Sequence, residues 1–258
     1  MFMCNSINLL YKLKKIYIKF ICYNYIMNKK NLILLVRHGE SVWNHDSKFT
    51  GWTNIPLTQK GRNEAIKIAN TLSINKLIPN IIFSSVLERC IDTSNIIKNT
   101  LNLDQAQIHT TWRLNEKHYG TLEGIPRQHI RNIYGDLFTK MMRSNFYMKP
   151  PIIKDYSNNH VYSIYRNCYL NKLSNGESKQ DVLNRLIPYY ENDILYTLSE
   201  NKIPLIVTHK HTARVLMKHL LNIPDEDFEN YQIPSKKILA IEINDNFNYI
   251  KHDEISYK

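Results

Sequence analysis

Two histidines follow apolar runs of this sequence and are the first candidates for chemistry. The run LILLV precedes Arg37 and His38, and the run LIVT precedes His209. Both runs have the composition of buried parallel strands. Parallel strands bring their carboxyl ends to one edge of a sheet, where ligands bind. We therefore expect His38 and His209 to lie face to face if their strands are neighbours.

The segment Arg37-His38-Gly39-Glu40-Ser41 has the residue types of a phosphoryl-transfer site. Histidine can act as a covalent nucleophile, and arginine binds phosphate in a bidentate manner. Gly39 lets the backbone come close to a bound group. A helix that begins near Glu40 or Ser41 would direct its free N–H groups at an anion. Together these features predict phosphoryl transfer through a phosphorylated His38.

An alternation of strands and helices must position these residues. Buried strands are predicted at 31–36, 81–85 and 203–209, helices at 57–74, 86–100, 177–200 and 212–221, and a closing hairpin at 238–243 and 247–252. Thr58 is a candidate N-cap, and Pro188 is expected to kink or split its helix. Residues 145–176 show little periodicity and predict a long, partly irregular insertion. The alternation is typical of an α/β domain with a mostly parallel sheet.

Composition excludes several classes of protein. With 43% hydrophobic and 22% charged residues among 258, the chain is globular rather than disordered. It has no uninterrupted apolar run long enough for a membrane-spanning helix and, outside the leader, no dense basic run for nucleic acid. The four cysteines form no C-x-x-C pair, which predicts free thiols in a reducing compartment and a cytoplasmic location. Histidine spacings elsewhere are irregular, so no metal site is expected.

Residues 1–30 form a basic leader that differs from the rest of the chain. They hold six lysines and no acidic residue, which accounts for about half of the net charge of +11. The leader lacks the features of a signal peptide and the arginines of a mitochondrial presequence. Three interpretations stay open: translation that starts at Met27, an organelle address, and an amphipathic helix bound to a membrane surface. We expect a single catalytic domain over 31–258.

Several further motifs follow one another in an order known from one family. They are Arg37-His38-Gly39-Glu40-Ser41-x-Trp43-Asn44, Phe49–Trp52, Ser85–Arg89, Trp112–Gly120, Arg143-Ser144, Gly176–Ser178 and Ile233-Pro234. In these motifs the chain resembles the cofactor-dependent phosphoglycerate mutases of the histidine phosphatase superfamily, over about residues 31–252. The motif around Glu116 is the most discriminating, because plain phosphatases of the superfamily lack it. The resemblance implies a three-layer α/β/α sandwich with one mainly parallel sheet.

The resemblance also implies roles for individual residues. His38 would be the phosphorylated nucleophile and Glu116 the proton donor and acceptor. Arg37, Arg89 and His209 would form the positive pocket around the phosphoryl group. Substrate-contacting positions would be Ser41, Asn44, Thr50, Gly51, Lys117, His118, Tyr119, Arg127, Arg143, Lys210 and His211.

The activity that the resemblance implies is interconversion of 3-phosphoglycerate and 2-phosphoglycerate in glycolysis and gluconeogenesis. It implies 2,3-bisphosphoglycerate as the primer and no metal. The expected partners are small phosphorylated metabolites, without nucleic acid or membrane, and the expected assembly is a homodimer or homotetramer.

The sequence departs from the family pattern at anion-binding positions. Lys210 and His211 stand where the family has glycine and asparagine, and Met142 replaces the first of two arginines. The family's P-T-G-x-P loop is changed at Pro234–Ile238, and the water-excluding tail is short. Two alternatives therefore stay open: a phosphatase that passes the phosphoryl group mostly to water, and a non-catalytic relative that binds phosphorylated metabolites or a partner protein. Lys210 either reaches into the pocket and partly replaces the arginine lost at Met142, or points to solvent.

Overall fold

A computed structural model describes residues 31–152 and 175–257 of the chain. Its strands are β1 Asn31–Arg37, β2 Ile81–Ser85, β3 Gln107–Thr111, β4 Pro204–Thr208, β5 Lys237–Ile243 and β6 Tyr249–Ser256. They form one sheet in the order β3-β2-β4-β1-β5-β6. The pairs β2–β3, β2–β4 and β1–β4 are parallel, and β5–β6 is an antiparallel hairpin. The mainly parallel sheet and its closing hairpin are therefore confirmed.

The helices flank this sheet in chain order. They are α1 Val42–His45, α2 Gln59–Ile74, α3 Glu88–Thr100, α4 Arg127–Ser144, α5 Lys179–Tyr189, α6 Tyr196–Ser199 and α7 Lys210–Leu220. Thr58 caps α2 as predicted, since its side chain accepts a hydrogen bond from the Gly61 N–H at 3.0 Å. Within the described residues, every helix is too short or too polar to cross a lipid bilayer.

The helix predicted over 177–200 is divided near Pro188, as expected. Pro188 lies inside α5, which ends at Tyr189, and a π-helix follows at Tyr190–Ile194. The missing N–H of proline removes one helical hydrogen bond to the preceding turn. Helix α4 was not predicted, and Gly135 interrupts it with φ of 82°, a value that glycine adopts without strain.

Alternate residues of the strands build two apolar layers on opposite faces of the sheet. On β1, Ile33 and Leu35 pack with residues of α5 and α7, whereas Leu34 and Val36 pack with residues of α2 and α3. Side chains of a strand point alternately to either face, so the fully apolar strands are buried on both sides. This arrangement confirms the three-layer α/β/α sandwich.

The described residues from Leu32 onward belong to one compact unit. The leader over 1–30 and most of the insertion predicted at 145–176 lie outside the described residues. The division into a leader and a single catalytic domain therefore stays a prediction.

Candidate active site

Neighbouring strands bring the two histidines together. Arg37 on β1 is in register with Thr208 on β4, and the His38 N–H donates to the Thr208 carbonyl at 3.0 Å. The pairing therefore continues just beyond both strands. The imidazole rings of His38 and His209 meet edge to face, with centroids 4.9 Å apart. The juxtaposition expected from the two strand ends is confirmed.

The protonation of His38 follows from its contacts. Its Nδ1 lies 2.6 Å from the Gly39 carbonyl oxygen. A carbonyl only accepts hydrogen bonds, so Nδ1 carries the proton and Nε2 keeps a lone pair. Burial, followed by the charges of Arg37 and Arg89, holds the pKa of His38 well below its usual value. The neutral ring therefore offers Nε2 as a nucleophile at neutral pH.

Gly39 serves packing as well as the site. A Cβ on Gly39 would collide with the backbone carbonyl of Gly61, and a Cβ on Gly61 would collide with the backbone of Glu40. The turn after β1 thus lies directly against the first turn of α2, and both positions require glycine. The sequence argument attributed Gly39 to the approach of a bound group, whereas the structure shows a close contact between two backbone segments.

Hydrogen bonds to buried polar residues fix the ring of His209. Its Nε2 lies 2.9 Å from the hydroxyl of Ser85, which in turn donates to Oδ1 of Asn115 at 2.8 Å. Because the Ser85 proton is used on Asn115, the histidine Nε2 donates to Ser85. The thiol of Cys90 also lies 3.3 Å from Nε2. Burial, followed by the charge of Arg89, lowers the pKa of His209. Sequence reasoning gave Ser85 and Asn115 no such role.

The two arginines beside His38 occupy different depths. Arg89 is buried and donates to the carbonyls of Gly51 at 2.7 Å and Thr53 at 2.9 Å. It therefore fixes the loop after Phe49, where Gly51 has a φ of 54°. Arg37 is exposed, and its guanidinium donates to Oδ1 of Asn44 at 2.9 Å. Arg37 thus lies at the exposed side of the site, whereas Arg89 is buried beside it.

Glu116 lies on a loop that a buried arginine holds in place. The Arg185 guanidinium donates to the carbonyls of Asn115 at 2.9 Å and Glu116 at 3.0 Å. It also pairs with the Glu177 carboxylate at 2.7 Å. Arg185 is a positioning residue that sequence reasoning missed. A weak signal was present, because Arg185 shares the apolar face of α5 with Val182 and Leu186.

The carboxyl group of Glu116 is suited to hold a proton. One of its oxygens accepts a hydrogen bond from the Lys117 N–H at 2.8 Å. Burial is the largest influence and raises the pKa of Glu116, while Lys117, Arg89 and Arg37 oppose it. A raised pKa increases the fraction of the acid form at a given pH, which favours general acid catalysis.

Lys117 and His118 make hydrogen bonds to the backbone. The Lys117 ammonium donates to the carbonyls of Met142 and Met148, both at 3.0 Å. His118 Nδ1 accepts a hydrogen bond from the Gly120 N–H at 2.9 Å. Both residues are buried. Lys117 therefore fixes the loop that follows Arg143, and the predicted substrate contacts of Lys117 and His118 stay untested.

The other predicted substrate-contacting residues divide into two groups. A catalytic pocket of about 320 Å³ is lined by Arg37, His38, Asn44, Arg127, Arg143 and Lys210, together with Glu40, Lys60 and Glu64. Ser41, Thr50, Tyr119 and His211 are buried. Within the described residues, Thr50 Oγ1 and His211 Nδ1 have no hydrogen-bond partner. Buried polar atoms normally have partners, so these two are candidates for ligand contact.

The sequence left open whether Lys210 reaches into the pocket or points to solvent. Lys210 is half-buried and lines the catalytic pocket together with Arg143. Burial, followed by Arg143 and Arg214, lowers its pKa. Met142, by contrast, packs in an apolar cluster with Phe49, Tyr119, Leu122 and Ile130. Lys210 therefore supplies a cation to the pocket, while the Met142 side chain lies away from it.

Comparison with known proteins places this arrangement in a family. The family model described as "Histidine phosphatase superfamily (branch 1)" matches residues 33–254. The chain belongs to the histidine phosphatase superfamily. It is 38% identical over 226 residues to a protein of Buchnera aphidicola subsp. Cinara cedri, covering 87% of this chain and 98% of that one. It is 37% identical to a protein of Elusimicrobium minutum, covering 84% of this chain and 88% of that one.

Both relatives are named 2,3-bisphosphoglycerate-dependent phosphoglycerate mutase, so the resemblance predicted from the motifs is confirmed. Among solved structures, a mycobacterial glucosyl-3-phosphoglycerate phosphatase in complex with VO3 matches with a TM-score of 0.67. That match has 20% identity and covers 88% of this chain and 99% of that one. At this identity the likeness shows the shared fold.

Proposed function

We propose that this protein interconverts 3-phosphoglycerate and 2-phosphoglycerate through a phosphorylated His38. The observation that carries the proposal is the placement of Glu116, a carboxyl group with a raised pKa, in the motif that distinguishes the mutases. A mutase must move a proton on and off a substrate hydroxyl, and Glu116 is the group of the site suited to that task. The names of the sequence relatives support the same activity.

The proposed reaction consists of two phosphoryl transfers. The substrate hydroxyl attacks the phosphorus on His38 Nε2, the N–P bond breaks, and Glu116 accepts the hydroxyl proton. The neighbouring phosphate ester is then attacked by Nε2, its P–O bond breaks, and Glu116 returns the proton to the leaving oxygen. Arg37 and Arg89 stabilise the charge on the transferring group, and the His209 ring lies beside His38.

The cations of the catalytic pocket match the charges of the substrate. Arg127, Arg143 and Lys210 line the pocket with His38 and would hold the carboxylate or second phosphate. Two groups of cations, one beside His38 and one at these three residues, fit the two phosphates of 2,3-bisphosphoglycerate. That compound would supply the first phosphoryl group to the enzyme. Glu40, which also lines the pocket, is paired with Lys60 at 2.7 Å.

One experiment separates this activity from its alternatives. Mutase turnover is measured in an enzyme-coupled assay, with and without 2,3-bisphosphoglycerate, and phosphate release is measured in parallel. Mutase turnover that far exceeds release and depends on the bisphosphate supports the proposal. Release that exceeds turnover identifies a phosphatase, and the absence of both identifies a non-catalytic relative.

The assembly and location are also proposals that rest on the resemblance. We infer a homodimer or homotetramer in the cytoplasm, acting on small phosphorylated metabolites. Light scattering coupled to size exclusion tests the assembly, and a monomeric mass would refute it. Microscopy of the tagged full chain tests the location.

A further inference from the structure

A second basic cavity lies beside the catalytic pocket, between α4 and α7. Its volume is about 430 Å³, and its basic lining residues are Arg131, Lys140, Arg143, Lys210 and Arg214. Asp136 and Glu229 line it as well. Asp136 pairs with Arg131 at 3.3 Å, and Glu229 accepts a hydrogen bond from Asn145 at 2.7 Å. Cations thus outnumber carboxylates in this side cavity, which favours an anionic occupant.

Arg214 is the strongest sign that the side cavity is built for a ligand. Its side chain is 1% exposed, and its guanidinium lies 4.5 Å from the Phe228 ring. One nitrogen donates to the Phe228 carbonyl at 2.7 Å. Within the described part of the chain, its Nε has no hydrogen-bond partner and no carboxylate forms an ion pair with it. A buried charge without a counterion is costly, and a bound anion would remove that cost.

Arg143 and Lys210 are shared by the side cavity and the catalytic pocket. An anion in the side cavity would therefore contact the same cations that face the substrate. Competition for the same two cations couples the two sites, because each anion reduces the positive potential available to the other.

We propose that the side cavity binds a second, non-catalytic phosphate group, and that its binding weakens the hold of Arg143 and Lys210 on the substrate. The recognising chemistry is that of a tetrahedral oxyanion, which arginine and lysine bind through charge-assisted hydrogen bonds. This chemistry is shared by inorganic phosphate and by the phosphate of a small ester. The inference goes beyond the proposed mutase activity, since it concerns the number of phosphates bound per chain and inhibition by phosphate.

Calorimetric titration of the full chain with inorganic phosphate tests the proposal. The wild type is expected to bind one phosphate more per chain than a double variant, Arg131→Gln with Lys140→Gln, which changes two exposed residues outside the catalytic machinery. The matched control, Lys67→Gln with Lys98→Gln on α2 and α3, changes the net charge equally and should bind as many phosphates as the wild type. Titration with 3-phosphoglycerate shows whether an ester phosphate also occupies the second site.

Kinetics supply the second measurement. Phosphate should lower the apparent affinity of the wild type for substrate by more than competition at the catalytic pocket alone produces. In the double variant only that competition should remain, with the rate without phosphate unchanged. Equal numbers of phosphates bound by the wild type and the double variant would overturn the proposal, as would an equal loss in the control. Neither result bears on whether the protein is a mutase.

Discussion

Replacing Lys179 by methionine should stabilise the protein, in a manner that depends on pH. Lys179 is the first residue of α5, and its side chain is fully buried. Its Nζ donates to the Asn145 carbonyl at 3.0 Å and lies 5.9 Å from the Phe228 ring. Burial, followed by the charges of Lys117 and Arg214, lowers its pKa from 10.5 to about 6.

The sign of the pH dependence follows from the protons that Lys179 binds in the folded and unfolded states. Between about pH 6 and 10.5, the unfolded chain holds a proton on Lys179 that the folded state has released, so stability rises with pH over this window. At pH 7 the cost of that release is on the order of 5 kcal/mol, at about 1.4 kcal/mol per pH unit. Lys179→Met removes this cost and loses one hydrogen bond worth about 1 kcal/mol. The net gain is therefore roughly 4 kcal/mol at pH 7 and close to zero at pH 10.

Urea unfolding followed by tryptophan fluorescence at pH 7 and pH 10 measures both values. Lys67→Met is the matched control, because Lys67 is an exposed lysine on α2, and it should change stability little at either pH. An equal gain for Lys179→Met at both pH values would mean that only apolar burial changed. A loss of stability at pH 7 would mean that the folded state uses the charged ammonium. Either outcome refutes the reasoning.

Three further predictions concern the catalytic residues. His38→Ala should abolish transfer and hydrolysis in a folded protein, and label from 2,3-bisphosphoglycerate that persists on this variant would contradict the assignment. Glu116→Gln should keep phosphate binding but slow turnover about 10²–10⁴-fold. In the pH–rate profile of the wild type, the deprotonation of Glu116 should appear at a higher pH than that of an ordinary carboxyl group, because its pKa is raised. Lys210→Gly should weaken phosphoglycerate binding on the order of tenfold, and unchanged binding would remove Lys210 from the pocket. Met142→Arg should not rescue that variant, because Met142 is 1% exposed in an apolar cluster.

Local patterns predicted the parts of the fold that depend on apolar periodicity. The buried strands and the helices α2, α3 and α7 were recognised, and the strand ends placed His38 opposite His209. Strand β3 was missed because its burial pattern is mostly exposed, which leaves no apolar alternation to detect. Its identity depends on pairing with β2, a contact that a local pattern does not contain.

Long-range polar contacts were also not predicted from the sequence. Arg185 donates to the carbonyls of Asn115 and Glu116, about 70 residues earlier in the chain. No local spacing encodes such a pair, although an arginine on the apolar face of α5 was visible in the sequence. The motif match located Glu116, but the means by which its loop is held emerged only from the three-dimensional contacts.

The strand order has a consequence for how the chain acquires its catalytic pair during synthesis. β4 lies between β1 and β2, although it follows β2 by more than a hundred residues. A nascent chain that ends before Pro204 therefore has a gap in the middle of its sheet, with two unpaired parallel edges. Such edges template association with other chains, and pairing across long separations is slow. Because His209 follows β4, the two histidines can meet only after the ribosome has synthesised the chain beyond residue 209.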